Sequence, residues 1–311
     1  MNLKYLLLIL PPFLACTLHE SQADLWAPYP ELDEMKSLAE LPKSIAESSG
    51  LIYWEGDVWT LNDGGNGPYL YEVGLKKKKK KREIKIKGID NTDWEALAQD
   101  SNYVYIGDFG NNDGNRTDLA IHRVKKKELG KTEDDDKVKA KKSIAFHYPD
   151  QDPEDWQNWL PKDQHDFDCE ALIASPDSLY LFSKNHASFS CQVYRLPKTP
   201  GQYPAEKVAS LATDGLITGA TWSEEHSCLV LLGYNYASPG HQPFIWLFWD
   251  FPGYQFDAGK KQRLNLPQSV QAEAITHYRG SQFLISSEKS RAGKGRVFRI
   301  DLAEWLGEGE R

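Results

Sequence analysis

The sequence predicts an all-β chain folded as a β-propeller of five blades. Three observations predict it: a strand module that recurs five times, a spacing of the copies that suits a four-stranded blade, and enough apolar and aromatic residues to fill the seams between blades. Each copy opens on a small or acidic residue before an apolar one, then continues as a β-rich run, a polar turn and a second β-rich run. The openings are Ser49-Gly50-Leu51, Glu95-Ala96-Leu97, Glu170-Ala171-Leu172, Gly219-Ala220-Thr221 and Glu273-Ala274-Ile275. Second strands are expected over 58–61, 103–107, 179–183, 229–233 and 283–287, and third strands over 69–73, 120–124, 192–196, 244–249 and 296–300. These runs are rich in β-branched and aromatic residues and bounded by turn formers. Fourth strands are expected over 83–87, 143–148, 207–211 and 262–266.

The openings at 49, 95, 170, 219 and 273 lie 46, 75, 49 and 54 residues apart. The long interval holds a charged stretch over 125–142 and a Pro/Asp/Trp-rich stretch over 150–166, which predicts an insertion around 125–166, with a degenerate sixth blade as the alternative. The fifth copy ends at its third strand. An open ring would expose sheet edges, so a strand from within 32–43 is expected to complete the last blade and make 24–311 one domain.

Composition narrows the function. Hydrophobic residues make up 40% of the chain and aromatics 12%, which excludes global disorder. The net charge of −8, from 37 basic and 45 acidic residues, argues against nucleic acid as partner. Lys76 to Arg82 is a local basic run, read as a solvated hairpin or blade-edge loop, with contact to an anionic surface as the alternative. Lys4 precedes an apolar stretch over 5–14, the shape of a secretory signal ending near residue 23 and too short to span a bilayer. A lipoprotein signal over 1–15 competes with it, since Phe13-Leu14-Ala15-Cys16 is similar to a lipobox and would leave a lipid anchor on Cys16. Export to the periplasm, the outer membrane as a lipoprotein, or the medium is therefore expected, as a monomer touching membrane only through that anchor. Cys169, Cys191 and Cys228 remain, an odd count that reads as small buried hydrophobes rather than a disulfide framework, a Cys169–Cys191 bridge being the alternative.

In a blade the first two strands are antiparallel neighbours, so the module opening lies beside the residue about 14 later, at the channel mouth. That pairs Glu95 with Asp108, Glu170 with Lys184 and Asn185, Glu273 with Glu288 and Lys289, and Ser49 and Glu47 with Asn62 and Asp63. Crowded carboxylates demand compensation. Calcium, matched to hard oxygen ligands, would use Glu47, Asp63, Glu95 and Asp108. Lys184, Lys289 and Arg116 offer internal pairing instead, and backbone N–H groups of the next blade offer a structural role for each Glu. The turn Asp108 to Arg116 is composed like a calcium loop but lacks EF-hand spacing, and an ordinary turn explains it as well; 62–67 is equally open. His165, His186 and His241 are acid–base candidates or solvated loop residues, and Trp156, Trp159, Tyr234 and Tyr236 form a stacking surface or pack internally. No Gly-x-Ser-x-Gly elbow occurs.

The segments Glu47-Ser48-Ser49-Gly50-Leu51, Trp59-Thr60-Leu61-Asn62-Asp63-Gly64-Gly65, Asp93-Trp94-Glu95-Ala96-Leu97-Ala98 and Tyr105-Ile106-Gly107-Asp108-Phe109-Gly110-Asn111-Asn112, ending at Arg116, resemble a family of exported bacterial propellers. That family is similar in turn to SdiA-regulated and phytase-esterase-like propellers. The resemblance covers about residues 47–124 and implies a propeller with an acidic channel face. For phytase-like relatives it also implies calcium-assisted phosphoesterase chemistry, although no basic phosphate-binding cluster stands at the matching face. Two readings follow. In the first, a cell-envelope protein binds a small molecule or envelope protein at the acidic mouth, through Asn62, Arg116, Lys184, Asn185, Glu288 and Lys289. In the second, a calcium-dependent hydrolase of phosphoesters or lactones uses Glu170 or Glu273 as the base.

Overall fold

Each module forms one antiparallel sheet in the computed structural model, which describes residues 29–75, 79–237, 240–289 and 293–307. After β1 (Lys36–Glu40), blade one is β2 (Ser48–Trp54), β3 (Asp57–Asn62), β4 (Tyr69–Gly74) and β5 (Lys79–Lys87). Blade two is β6 (Trp94–Gln99), β7 (Tyr103–Asp108) and β8 (Ala120–Lys125); β9 (Lys137–Lys139) follows, and then β10 (Lys141–His147), its outer strand. Blade three is β11 (Cys169–Ala174), β12 (Ser178–Ser183) and β13 (Ser190–Pro197); β14 (Gly201–Pro204) precedes its outer strand β15 (Glu206–Ala212). Blade four is β16 (Leu216–Ser223), β17 (Cys228–Ala237), β18 (Gly240–Trp249) and β19 (Lys260–Asn265). Blade five is β20 (Ala272–Arg279), β21 (Gln282–Ser287) and β22 (Arg296–Asp301), with β1 antiparallel to β22 as its fourth strand.

Five blades and the N-terminal closure match the expectation. The first strands touch in the order β2, β6, β11, β16, β20 and back to β2, a closed ring. The apolar core is accordingly split into five seams, one between each pair of neighbouring blades. Leu32 and Met35 pack into the seam of blades four and five, whereas Ala39, Leu41 and Ile45 pack into that of blades five and one. The N-terminal segment thus adds apolar contacts on both sides of the blade it completes. No sixth blade forms in the long interval. A four-residue helix (Lys126–Leu129) leads to β9, which runs parallel to β5, and β14 runs parallel to β10, so connections from later blades cover the outer edges of blades one and two. In the basic run, Arg82 on β5 pairs with Glu72 and lies over the Trp59 ring of β3; residues 76–78 lie outside the described residues, as does the stretch expected to be a secretory signal. Cys169, Cys191 and Cys228 are free and buried, without a bridge.

Every first strand carries an irregularity at the module opening, where two residues face one on the second strand. The register places Ser49, Glu95, Glu170, Thr218 and Glu273 at equivalent positions, so the fourth opening is Thr218 rather than Gly219. Such a bulge re-aims a side chain, here toward the mouth. The next position is always small (Gly50, Ala96, Ala171, Gly219, Ala274), because neighbouring first strands approach there. The third position supplies Leu51, Leu97, Leu172, Ala220 and Ile275, which close the channel at its waist and leave a cavity at each end. A Cβ on Gly50 would stand 2.6 Å from the Leu97 nitrogen, whereas one on Gly219 would stand 3.1 Å from Ala274 Cα. Gly50→Ala is therefore expected to cost about 1–3 kcal/mol in denaturant unfolding, and Gly219→Ala clearly less. Equal costs would contradict the packing argument.

Candidate functional site at the acidic mouth

The mouth formed by the module openings holds a cavity of about 330 Å³. Asp63 and Glu95 line one wall, and Asp93 adjoins them. Asp63, Asp93 and Glu95 each place an oxygen within 4.8 Å of the others. Asp63 comes from the turn after β3, and Asn91 fixes that turn by donating to the carbonyls of Asn62 and Asp63 at 3.0 Å each. Asp93 sits just before β6, its carbonyl accepting the N–H groups of Phe109 and Gly110. Glu95 is the bulged residue of blade two and accepts the Ser49 hydroxyl on Oε2 at 2.9 Å. Two glycines make room for the group. A Cβ on Gly64 would collide with Asp93 Oδ1, and one on Gly110 would meet Asp93 Oδ2 and Glu95 Oε1 at 2.4 and 2.6 Å.

Asp108 stands behind this cluster rather than in it. Its Oδ1 accepts Arg116 Nη2 at 3.0 Å and the Asp93 backbone N–H at 3.1 Å, and its Oδ2 meets His122 Nε2 at 3.2 Å. Burial opposes ionisation of Asp108, but His122 and Arg116 outweigh it and hold the carboxyl below its ordinary range. With both oxygens engaged, Asp108 positions Asp93, and Arg116 supports the same network by donating to the Gly110 carbonyl at 2.8 Å. The turn from Asp108 to Arg116 closes on itself, with Asn111 accepting the Arg116 N–H and donating to Phe167. Asn62 is structural as well, bonding Glu47 N–H and the Ser44 carbonyl. Glu47 reaches the cavity and accepts from Asn66 at 2.7 Å.

The far wall carries Glu170, Glu273, Glu288 and Lys184. Lys184 Nζ donates to Glu170 Oε1 at 2.9 Å, as the strand register predicts. Glu273 is 4% exposed, and its Oε1 is buried without a hydrogen-bond partner. Asn185 is buried at 1% exposure with neither amide atom bonded, and it does not line the cavity. Lys289 is exposed, and its backbone N–H ties blade five to the Ala46 carbonyl. His186, Tyr234, Tyr236 and His241 complete the rim, with Tyr236 63% exposed. His165 is not at the rim; its Nε2 meets the Asn112 carbonyl at 3.1 Å behind it. Trp159 is exposed and bonded to Asp113, apart from the two mouth tyrosines.

The glutamates do not take backbone N–H groups of the next blade. Instead Ser49 and Thr218 hydroxyls donate to the Glu95 and Ala272 carbonyls at 2.8 and 2.7 Å, which performs that bridging. The carboxylates remain crowded, with Glu47, Asp63, Asp93, Glu95, Glu170, Glu273 and Glu288 facing Lys162 and Lys184. Burial first, then Asp63 and Glu170, pushes Asp93 up to about 7. Burial and the same neighbours raise Glu95 well above the usual range. Burial outweighs the shared Lys184 ammonium, so Glu170 and Glu273 both rise to about 7. Glu288 rises to about 8 through burial and repulsion from Glu273. Such a set favours whatever brings positive charge to it, and its all-oxygen ligands suit a hard cation.

No family model matches the chain, and no curated protein matches its sequence. Among solved structures it is similar to exo-β-1,3-galactanase from Phanerochaete chrysosporium, with a TM-score of 0.50 at 10% identity over 86% of this chain and 64% of that one. The chain thus spans less than two thirds of the galactanase chain, and the likeness is one of fold alone. Glutaminyl cyclase from Myxococcus xanthus is similar with a TM-score of 0.48 at 9% identity over 87% of this chain and 96% of that one.

Proposed function

We propose that the protein is a cation-dependent binding propeller of the cell envelope, in which calcium on Asp63, Asp93 and Glu95 presents a polar ligand to the rim of His186, Tyr234, Tyr236 and His241. The observation that carries this reading is the three-carboxylate cluster seated against Gly64 and Gly110, with the unpartnered Glu273 Oε1 across the cavity. The secretory shape of residues 1–23 supports an extracytoplasmic setting, where calcium modules work with dissociation constants of about 10⁻⁴–10⁻³ M. Glu47 and Glu288 add negative charge around the ion, and the exposed Tyr236 ring offers a stacking surface.

Protein stripped with chelator and titrated with calcium is expected to gain about 2.7 kcal/mol at 100 times the dissociation constant, several degrees in Tm. Asp93→Asn and Glu95→Gln should each abolish the gain. A Tm that stays constant up to about 10⁻³ M calcium would remove the reading.

One observation favours hydrolysis as a second reading: Glu273 combines a free buried oxygen with a pKa of about 7, suited to a base that activates water. Calcium-dependent turnover of a phosphoester or lactone, lost in Glu273→Gln while calcium binding persists, would establish it. Its absence across both substrate classes leaves the binding reading.

A further inference from the structure

We propose a second metal site, for a borderline divalent cation such as zinc, at the opposite end of the axis on Glu225, His226 and His277. It is independent of the calcium reading and shares no residue with the acidic mouth. Glu225 and His226 lie in the turn between β16 and β17, and His277 lies on β20, so the three come from adjoining blades. Their ligand atoms lie within 4.8 Å of one another, with Glu225 Oε2 at 3.9 Å from His277 Nε2.

The three converge on one residue, Gly280. His226 Nε2 and His277 Nε2 meet the Gly280 carbonyl at 3.1 and 2.8 Å, and Glu225 Oε2 accepts the Gly280 N–H at 3.1 Å. Those bonds direct both Nε2 atoms, each carrying its proton, at the Gly280 carbonyl oxygen, so a cation would displace those protons and take the place of the carbonyl contact. The main chain is fixed too. His277 N–H donates to Thr221 Oγ1 across the blade seam at 3.2 Å, and His226 N–H donates to Ser223 Oγ at 3.4 Å. A register irregularity between His277 and Arg279 turns the end of β20 at this place, as bulges beside sites do.

Two imidazoles and one carboxylate form a donor set that zinc uses when it keeps a fourth position open. Ligands about 2.0–2.1 Å from such an ion require these side chains to close by a fraction of an ångström to about 1 Å, giving up the Gly280 contacts. Nitrogen donors also separate this site from the other mouth, where every ligand is oxygen: calcium belongs there and zinc here. His277 also lines the cavity of about 330 Å³ at this end, together with Tyr53, Gln99 and Trp222.

Untagged protein freed of metal and titrated with zinc chloride in calcium-free buffer tests the site by thermal unfolding and calorimetry. One equivalent should bind with a rise in Tm. His226→Ala, on an exposed turn, and His277→Gln, whose amide can still donate to Gly280, should each weaken zinc at least about tenfold. Asp93→Asn should leave zinc binding unchanged. Zinc that fails to raise Tm, or binds equally to both histidine variants, overturns the proposal. So does zinc binding that Asp93→Asn abolishes, because that places the ion at the acidic mouth.

Discussion

Lys184→Met is expected to destabilise the calcium-free protein by about 3–5 kcal/mol near pH 8, seen as a lower denaturant midpoint at unchanged slope. Lys184, its side chain 12% exposed, donates to Glu170, and Glu273 and Asp168 add to the negative potential that holds it protonated against its own desolvation. Removing the ammonium leaves carboxylates that are 3–4% exposed without the cation they share. They can recover only by taking up protons, which is harder at high pH, so the loss should shrink toward pH 5. The double variant Lys184→Met with Glu170→Gln should regain much of the stability, because removing both charges spares the desolvation cost that removing one exposes. A single variant as stable as the parent at pH 8 would mean that Glu170 is already neutral there. It would also remove Lys184 as the compensating charge of the mouth.

Much of this arrangement is legible in the amino-acid order because it rests on local rules. Alternating β-branched and aromatic runs mark the strands, and pairing of the first two strands places Glu170 beside Lys184 with no further information. The closing strand follows from the cost of an open sheet edge and falls at Lys36–Glu40, inside the expected window. What escapes a linear reading depends on side-chain direction and on contacts between blades. Asp108 lies where the pairing puts it, yet Arg116 and His122 turn its carboxylate away from the cavity. Asp93 escapes the module pattern because it precedes the opening by two residues. Its nearest signal is the pair of glycines, Gly64 and Gly110, whose missing side chains leave space for its carboxylate. In blade four the bulge falls on Thr218, which a search for a small residue before an apolar one shifts to Gly219. Glu225, His226 and His277 meet only once two blades are docked, so no spacing announces them.

Between about pH 6.5 and pH 8 the calcium-free protein is expected to lose stability as pH rises, opposite to proteins dominated by paired surface carboxylates. Glu170 and Glu273 stand at about 7 and Glu288 at about 8 in the folded chain, against an ordinary glutamate value of 4.5. Above that ordinary value the unfolded chain has released protons that the folded chain keeps, so it binds fewer of them. Each retained proton lowers the unfolding free energy by about 1.4 kcal/mol per pH unit until the folded group also ionises. Histidines act in the other direction at lower pH. Burial holds His186 at about 4 and lowers His241, so below about 6.5 the unfolded chain takes up protons on these rings that the folded chain refuses, and their own contribution to stability rises with pH there. The two effects oppose each other between about pH 5 and 6.5, and the carboxylates act alone above it. Lys184 and Lys162 face these carboxylates and moderate the fall, whereas Glu47 and Asp63 steepen it. Denaturant unfolding in chelator across that upper window measures the slope. Calcium should flatten it, since a bound cation favours ionised neighbours. Stability that stays level or climbs from pH 6.5 to 8 without calcium would show that the glutamates of the mouth ionise freely and that burial does not hold their protons.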